Sequence, residues 1–409
     1  MTAIMVAIGF DLAALVLGVA MAQGMSLTDA ILSSLAGSAL LGVLAISCSL
    51  VGSRTGLSSA RISRFAFGSD GARVIAFITA LTLLGWFGVQ AGFLGTNLSS
   101  ALSILGIEIR AEWLAVAGGL LITWTAVYGY EAMDKIARLS VPLMVVIMTV
   151  SVALLFLFNK NLTQEPISHP MSFPTATAYV LGGFVGAVSS FPDISRYAKS
   201  SRDAVAGAFF GFFIGNSMML IIAVILAKYT GEVDLIKLFA RLHIGLLSVV
   251  VLTIAQWATN VANLYSMSLS FTVVLPEARI PKAAYVIGAG IFGTVLAGAG
   301  IADHFLNFLL MVSVAIAPIG GAYSGYYFLA LRGRVPVHIP RFVPSTFIAW
   351  VSGVVVAWLV TPNDPANGMF GAGYHSLTGV PSVDGFLLAF VLGGAPLLLR
   401  SKLAVEGGA

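Results

Sequence analysis

Gln256, Thr259, Asn260 and Asn263 are spaced i, i+3, i+4 and i+7 inside a long apolar segment running from about Leu246 to Leu275. On a helix these four share one face, and Ser266 and Ser270 continue it. An amide buried in an apolar medium without a partner costs a few kcal/mol. A stripe of amides and hydroxyls in such a helix therefore faces other helices, water, an ion or a polar solute. Interhelical hydrogen bonding is one reading of it. A binding face is the other, favoured by four polar groups converging within two turns.

Trp86 and Gln90 form a second constellation. They are i, i+4 neighbours, so an indole plane and an amide point the same way from one helix. Asn97 lies further along the same segment. Trp86 falls near the middle of its apolar run, away from the interfaces where tryptophan is usual. A planar heteroaromatic solute needs both a face to stack on and an edge partner, which this pair offers. A packing role for Trp86 is the alternative. Asp11 is a third candidate, an acidic residue inside the first apolar run with no Lys or Arg at similar depth. A carboxylate there is protonated, bound to a cation, or faces a watery cavity.

The elements that carry these groups are membrane helices. The 409-residue chain is 58% hydrophobic and 9% charged, far from the quarter charged that soluble domains carry. Twelve apolar runs of spanning length are expected at approximately 3–22, 28–52, 73–104, 112–130, 139–159, 175–195, 203–227, 243–273, 283–303, 304–330, 342–361 and 384–400. The first is read as a retained span, not a signal peptide. Cys48 is the only cysteine, and the five histidines are scattered, which argues against disulfides, a thiolate site or a histidine metal site. Nor is there a phosphate loop, a nucleophile elbow or a catalytic acid pair, so an enzyme is not expected. The net charge of +4 is spread over short loops and does not point to nucleic acid.

The basic residues orient the chain. Sixteen of the 21, including Arg54, Arg61, Arg64, Arg73, Arg196, Arg202, Arg332 and Arg341, fall on one side. Only Arg110, Lys160, Lys228, Lys237 and Arg241 fall on the other. The bias places both termini in the cytoplasm, with the chain in the inner or plasma membrane. Asp193 and Arg196 are expected to pair at the cytoplasmic end of span six. The arginine-bearing loop Thr55–Gly68 is suited to an interfacial helix.

Span six, Gly182-Gly183-Phe184-Val185-Gly186-Ala187-Val188-Ser189-Ser190-Phe191-Pro192-Asp193, carries glycines and a proline that interrupt a continuous helix, with Phe184 in the weak region. Gly9 gives span one a smaller break signal, and Pro318 marks a kink or break in span ten. Broken helices at corresponding places in two halves point to an inverted-repeat transporter with its site near the midplane. Close helix packing is the other use of such glycines.

Several blocks carry a resemblance: Thr55-Gly56-Leu57 through Arg64-Phe65-Ala66-Phe67-Gly68, Gly85-Trp86-Phe87-Gly88, Gly215-Asn216-Ser217, Trp257-Ala258-Thr259-Asn260 and Pro318-Ile319-Gly320-Gly321. Over nearly the whole chain it resembles the cytosine permease branch of the nucleobase–cation symporter family. The resemblance implies an all-α membrane fold of twelve helices. It comprises a first five-helix repeat over 3–159, a second, inverted repeat over 175–330, and two extra helices over 342–400, all in one transporter domain. It also implies a base held between Trp86 and Phe184, with polar partners on spans three, six and eight. Asn260 matches a substrate-facing asparagine, and Asn263 is a second candidate one turn on. A coupling sodium would sit at the carbonyls near Asp11 and Ala14 and at the Thr259 hydroxyl.

Three positions depart from the cytosine-specific pattern. Leu83 stands for a glutamine, Gly186 for a serine, and Asp11 for a phenylalanine. Gln90 supplies an amide near the first, as in hydantoin-carrying relatives, and Asp11 brings a titratable group. The expected function is import of a nucleobase, cytosine or a purine, coupled to sodium or a proton. The alternatives are another flat heterocycle of hydantoin or allantoin type, or an uncoupled facilitator for small polar solutes. No organic cofactor and no nucleic-acid partner is expected. The chain is expected to act in lipid as a monomer.

Overall fold

The computed structural model describes residues 11–127, 130–158, 163–275, 280–364 and 369–406. Twelve long helices follow one another there: α1 (Leu12–Gly24), α2 (Leu27–Thr55), α3 (Ser59–Ile104), α4 (Ala111–Val127), α5 (Tyr130–Phe158), α6 (Phe173–Ser189), α7 (Ser201–Thr230), α8 (Gly245–Val274), α9 (Lys282–Gly298), α10 (Ile301–Ala330), α11 (Pro344–Val360) and α12 (Pro381–Glu406). Each overlaps one expected span, with the start of α3 well before and the start of α5 nine residues before the expected bound, the ends of α6 and α12 six residues from theirs, and residues 3–10 of the first span outside the described residues. Five of the helices, α2, α3, α7, α10 and most of α8, are long and apolar enough to cross a membrane, and the others contain shorter apolar stretches. The outer surface carries Leu120, Leu121 and Trp124 of α4, Phe292 and Val295 of α9 and Met311 of α10 as exposed side chains. Apolar exposure on this scale suits contact with lipid.

Local chemistry sets the helix ends. Ser26, Ser58 and Ser172 are N-caps whose hydroxyls accept from the backbone N–H three residues on. Gly56 and Gly231 close α2 and α7 in the left-handed conformation, at φ 67° and 71°. A helix does form in the arginine-bearing loop, as the first turns of α3. Gly68, at φ 83°, turns the chain between those turns and the rest of α3. The bend brings the backbone against the loop before α11, where Ser69 N donates to Pro340 O, Asp70 N to Arg341 O and Val343 N to Phe67 O. A side chain at Gly68 would meet the backbone of Phe342, which is the second reason for glycine there.

Three expectations are corrected. The glycine run of span six is helical, and α6 ends only at Ser189 before a single turn at Pro192–Ser195. Phe184 therefore sits on regular helix, and Gly182 serves close packing against the Leu309 backbone of α10. Helix α10 runs through Pro318, and its departures from α-geometry are a 3-10 turn at Ile301–His304 and a π turn at Tyr326–Ala330. Carbonyls beside the proline are taken by side chains, Trp350 Nε1 donating to Ala315 O at 3.2 Å and Ser189 Oγ to Ile316 O at 3.1 Å. Finally, Asp193 does not pair with Arg196. It accepts from Ser59 N (2.9 Å) and Ser59 Oγ (2.6 Å), while Arg196 lies over the Tyr197 ring and donates to its hydroxyl. The N-terminus of the helix that begins at Ser59 offers that carboxylate a backbone N–H and a hydroxyl together. The expected break at Gly9 lies outside the described residues.

Two bodies of packed side chains result. The main core joins α1, α2, α6, α7 and α10, with Tyr179, Phe212, Tyr323 and Leu309 fully buried in it. A second cluster joins α3, α4, α8 and α9 through Leu84, Phe87, Ile122, Leu264, Met267 and Val286. Helices α3 and α8 lie against each other along their length and touch both bodies.

Candidate functional site

Asp11 precedes the first turn of α1 and caps it, its carboxylate accepting from Ala13 N at 3.5 Å. From α3, Gln90 Nε2 donates to both carboxylate oxygens, at 3.0 and 2.9 Å. Two residues singled out separately in the sequence are thus partners. A carboxylate offers only lone pairs, so it holds the Gln90 NH2 toward itself and leaves Oε1 as the free end of the amide. That oxygen is buried and has no protein partner.

Helix α8 supplies the other amides. Gln256 and Asn260 are fully buried, and neither the nitrogen nor the oxygen of either amide meets a protein partner. Thr259 is half-buried and its hydroxyl donates to Ala255 O at 3.1 Å, which leaves the oxygen lone pairs available. Asn263 is half-buried, whereas Ser266 is exposed. The buried part of the polar face therefore ends near Asn263, short of Ser266.

These groups share a depth. The Gly24 end of α1, the Ile104 end of α3 and the Gly245 end of α8 lie on one side of the molecule. There Lys228 of α7 donates to Ala22 O and Met25 O at the end of α1, and Ser100 near the end of α3 donates to Asp234 in the segment leading to α8. At ~1.5 Å per residue, Asp11, Gln90 and Asn260 each lie roughly 20 Å from those ends. Gln256 is one turn nearer to them. Asn97, also buried with an unpartnered Nδ2, is nearer still.

The aromatic pair is less simple than expected. Trp86 is 8% exposed and is packed edge-on by Phe308 (5.2 Å between centroids) and Phe305 (6.3 Å) of α10. Phe184 packs against Phe212 of α7, at 6.2 Å. Each ring thus has its own aromatic support, and α6 touches α3. A Cβ built on Gly183 or on Gly186 would meet nothing within 4 Å. These two glycines, three residues apart on one face beside Phe184, border open space.

For a cation, the structure offers the Asp11 carboxylate, the Thr259 hydroxyl and the backbone near Ala14 on α1 and α8, which touch. Ala14 lies in the first turn of α1, so its carbonyl points along the helix. The α1 N-terminus repels a cation and Asp11 attracts one, so the carboxylate is the dominant local charge. Among the described residues no cluster of three His, Cys, Asp or Glu could hold a metal ion.

Sequence reasoning missed two features. Lys228 was visible as a lone cation in the apolar run of α7, but its carbonyl partners on α1 are distant in the chain. Gln256 was visible in the stripe yet was not assigned to a site.

The chain was compared with known proteins. A family profile described as permease for cytosine/purines, uracil, thiamine and allantoin matches residues 1–367. The cytosine permease of Escherichia coli (strain K12) is 29% identical over a 414-residue alignment covering 99% of this chain and 92% of that protein. Among solved structures, the inward-facing conformation of Mhp1 superposes with a TM-score of 0.81 at 19% identity, covering 98% of this chain and 90% of that one. The closed conformation of Mhp1, a nucleobase-cation-symport-1 family transporter with bromovinylhydantoin bound, superposes at 0.77 and 18% identity, covering 99% and 92%.

Proposed function

The chain belongs to the family of permeases for cytosine, purines, uracil, thiamine and allantoin, and we propose that it imports a nucleobase together with a cation. It is a transporter and not an enzyme. The base stacks between Trp86 and Phe184, and its edges are read by Gln90, Asn260 and Asn263, with Gly186 leaving room on the α6 side. One observation carries this reading. Buried amide atoms, Gln90 Oε1 on α3 and both polar atoms of Asn260 on α8, lack protein partners at one depth, beside a tryptophan. Unpaired buried amides are costly, and a flat polar ring supplies what they lack.

The coupling cation, sodium or a proton, is assigned to Asp11, with Ala14 and Thr259 completing the seat. Because Gln90 bonds Asp11 and also faces the substrate, a change at the cation seat alters the amide that the base meets. The twelve helices are read as twelve spans, arranged as inverted repeats over 3–159 and 175–330 with two extra helices over 342–400. Access alternates as the body of α1, α2, α6 and α7 rocks against that of α3, α4, α8 and α9. Both termini lie in the cytoplasm.

A second reading, a hydantoin- or allantoin-like ring, is favoured by the open space at Gly183 and Gly186, which admits a ring substituent. Thermal-shift binding of the purified protein against cytosine, hypoxanthine, uracil, hydantoin and allantoin, in sodium and in choline, tests both. A ligand that binds only the folded state raises its apparent stability. A shift with a nucleobase is the expected result. A shift with hydantoin or allantoin alone would replace the first reading by the second, and no shift with any ring would refute both.

A further inference from the structure

We propose that Gln256 is a further substrate-binding residue, which reads a lactam edge of the heterocycle one turn outward from Asn260. The inference rests on the transport of a nucleobase or related ring proposed above. Gln256 is fully buried, yet neither its Nε2 nor its Oε1 meets a protein partner. It stands at the boundary between the two packed bodies. Its neighbour Ala255 belongs to the main core, and Trp257 packs against the second cluster. Gln90 stands at the same boundary on α3, between Val89 of the main core and Phe87 and Leu94 of the second cluster. The free amide atoms of α3 and α8 are therefore on the seam where those helices meet.

The chemistry of the free atoms selects a ligand. Gln90 is held by Asp11 so that only its oxygen is free, and that oxygen calls for an N–H on the ligand. Asn260 and Gln256 each offer a donor and an acceptor, and their Cβ atoms are ~6 Å apart on the helix. A carboxamide is the complement of a cis-lactam, H–N–C=O, with which it forms two parallel hydrogen bonds. A ring whose lactam is read by Gln256, with a further N–H for the Gln90 oxygen and a remaining ring nitrogen or N–H for Asn260, therefore uses all three residues. A ring without the lactam leaves one amide buried and unpaired.

The test pairs a change in the protein with a change in the ligand. Competition against a labelled base measures affinity for cytosine and 4-aminopyrimidine, and for hypoxanthine and unsubstituted purine, with the purified full chain and with Gln256→Met. Methionine keeps the length of the side chain and removes both polar atoms. In the unmodified chain the lactam-bearing member of each pair should bind roughly tenfold tighter or more. In Gln256→Met that ratio should fall toward one, while the ligand-free melting temperature holds or rises, because an unpartnered amide has been removed. Gln256→Asn, with its amide on a shorter arm, should keep part of the discrimination and guards against a folding defect in the first variant. An unchanged ratio in Gln256→Met, or a ligand-free protein destabilised by it, would overturn the role of Gln256 while leaving base binding intact. If the unmodified chain bound no base, the functional reading itself would fall, and this inference with it.

Discussion

At the scale of single residues, the contact between Asp11 and Gln90 organises the site. It holds the Gln90 NH2 on the Asp11 carboxylate and leaves Oε1 as the free end of the amide. Gln90→Leu should remove the donor that both carboxylate oxygens share, leaving the cap contact from Ala13 N, and deprive the base of an acceptor. Labelled-base affinity should drop at least tenfold, a loss that direct binding to purified protein checks. Asp11→Asn should leave the helix cap in place, because asparagine also caps. It should remove the dependence of uptake on the coupling cation, and uptake that still responds to that cation would sink the role given to Asp11. Trp86 needs a milder change than alanine. Its edge-on packing against Phe305 and Phe308 means that truncation would also open a cavity costing about 3–5 kcal/mol. Trp86→Phe is the better probe and should weaken base binding with little change in melting temperature. The polar residues were legible one by one in the sequence, as rare amides and an acid in apolar runs. Their partnership was not, because nothing in the periodicity of α3 reports which residue of α1 it will meet.

At the scale of elements, the glycines of α6 separate packing from function. Gly182 lies against the Leu309 backbone, whereas Gly186 borders open space. Gly182→Ala should therefore force α6 and α10 apart and lower the melting temperature by several degrees. Gly186→Ala should be nearly neutral for stability and act on ligand preference instead. Equal effects of the two on melting would contradict this placement. Lys228 is the second element-level device, a buried ammonium donating to the last carbonyls of α1. Lys228→Met should cost about 2–3 kcal/mol, since it leaves those carbonyls unpaired and removes a cation from a helix C-terminus. Denaturation of the purified variant reads that loss directly. Helix positions were legible because apolar runs and serine or glycine caps mark them. The breaks were less so. Glycine and proline in Gly182–Pro192 and at Pro318 signal only that a helix is permitted to bend. Where it does bend depends on neighbours such as Ser189 and Trp350, which satisfy the exposed carbonyls.

At the scale of the whole molecule, two packed bodies meet along α3 and α8, and the unpartnered amides lie on that boundary. Relative motion of the bodies would expose those amides to one side of the membrane and then to the other, whereas a site inside either body would stay closed. The apolar exterior was legible from composition alone. The division into two bodies was not, because it depends on which helices contact one another. The most direct test of the account is uptake of labelled cytosine and hypoxanthine into proteoliposomes under an imposed inward sodium or proton gradient, for the unmodified chain and for Asn260→Leu. The account predicts accumulation of one base above the external concentration, collapse of that accumulation when the gradient is dissipated, and its absence in Asn260→Leu. Uptake that merely equilibrates whatever the gradient, or that persists undiminished in Asn260→Leu, would contradict it.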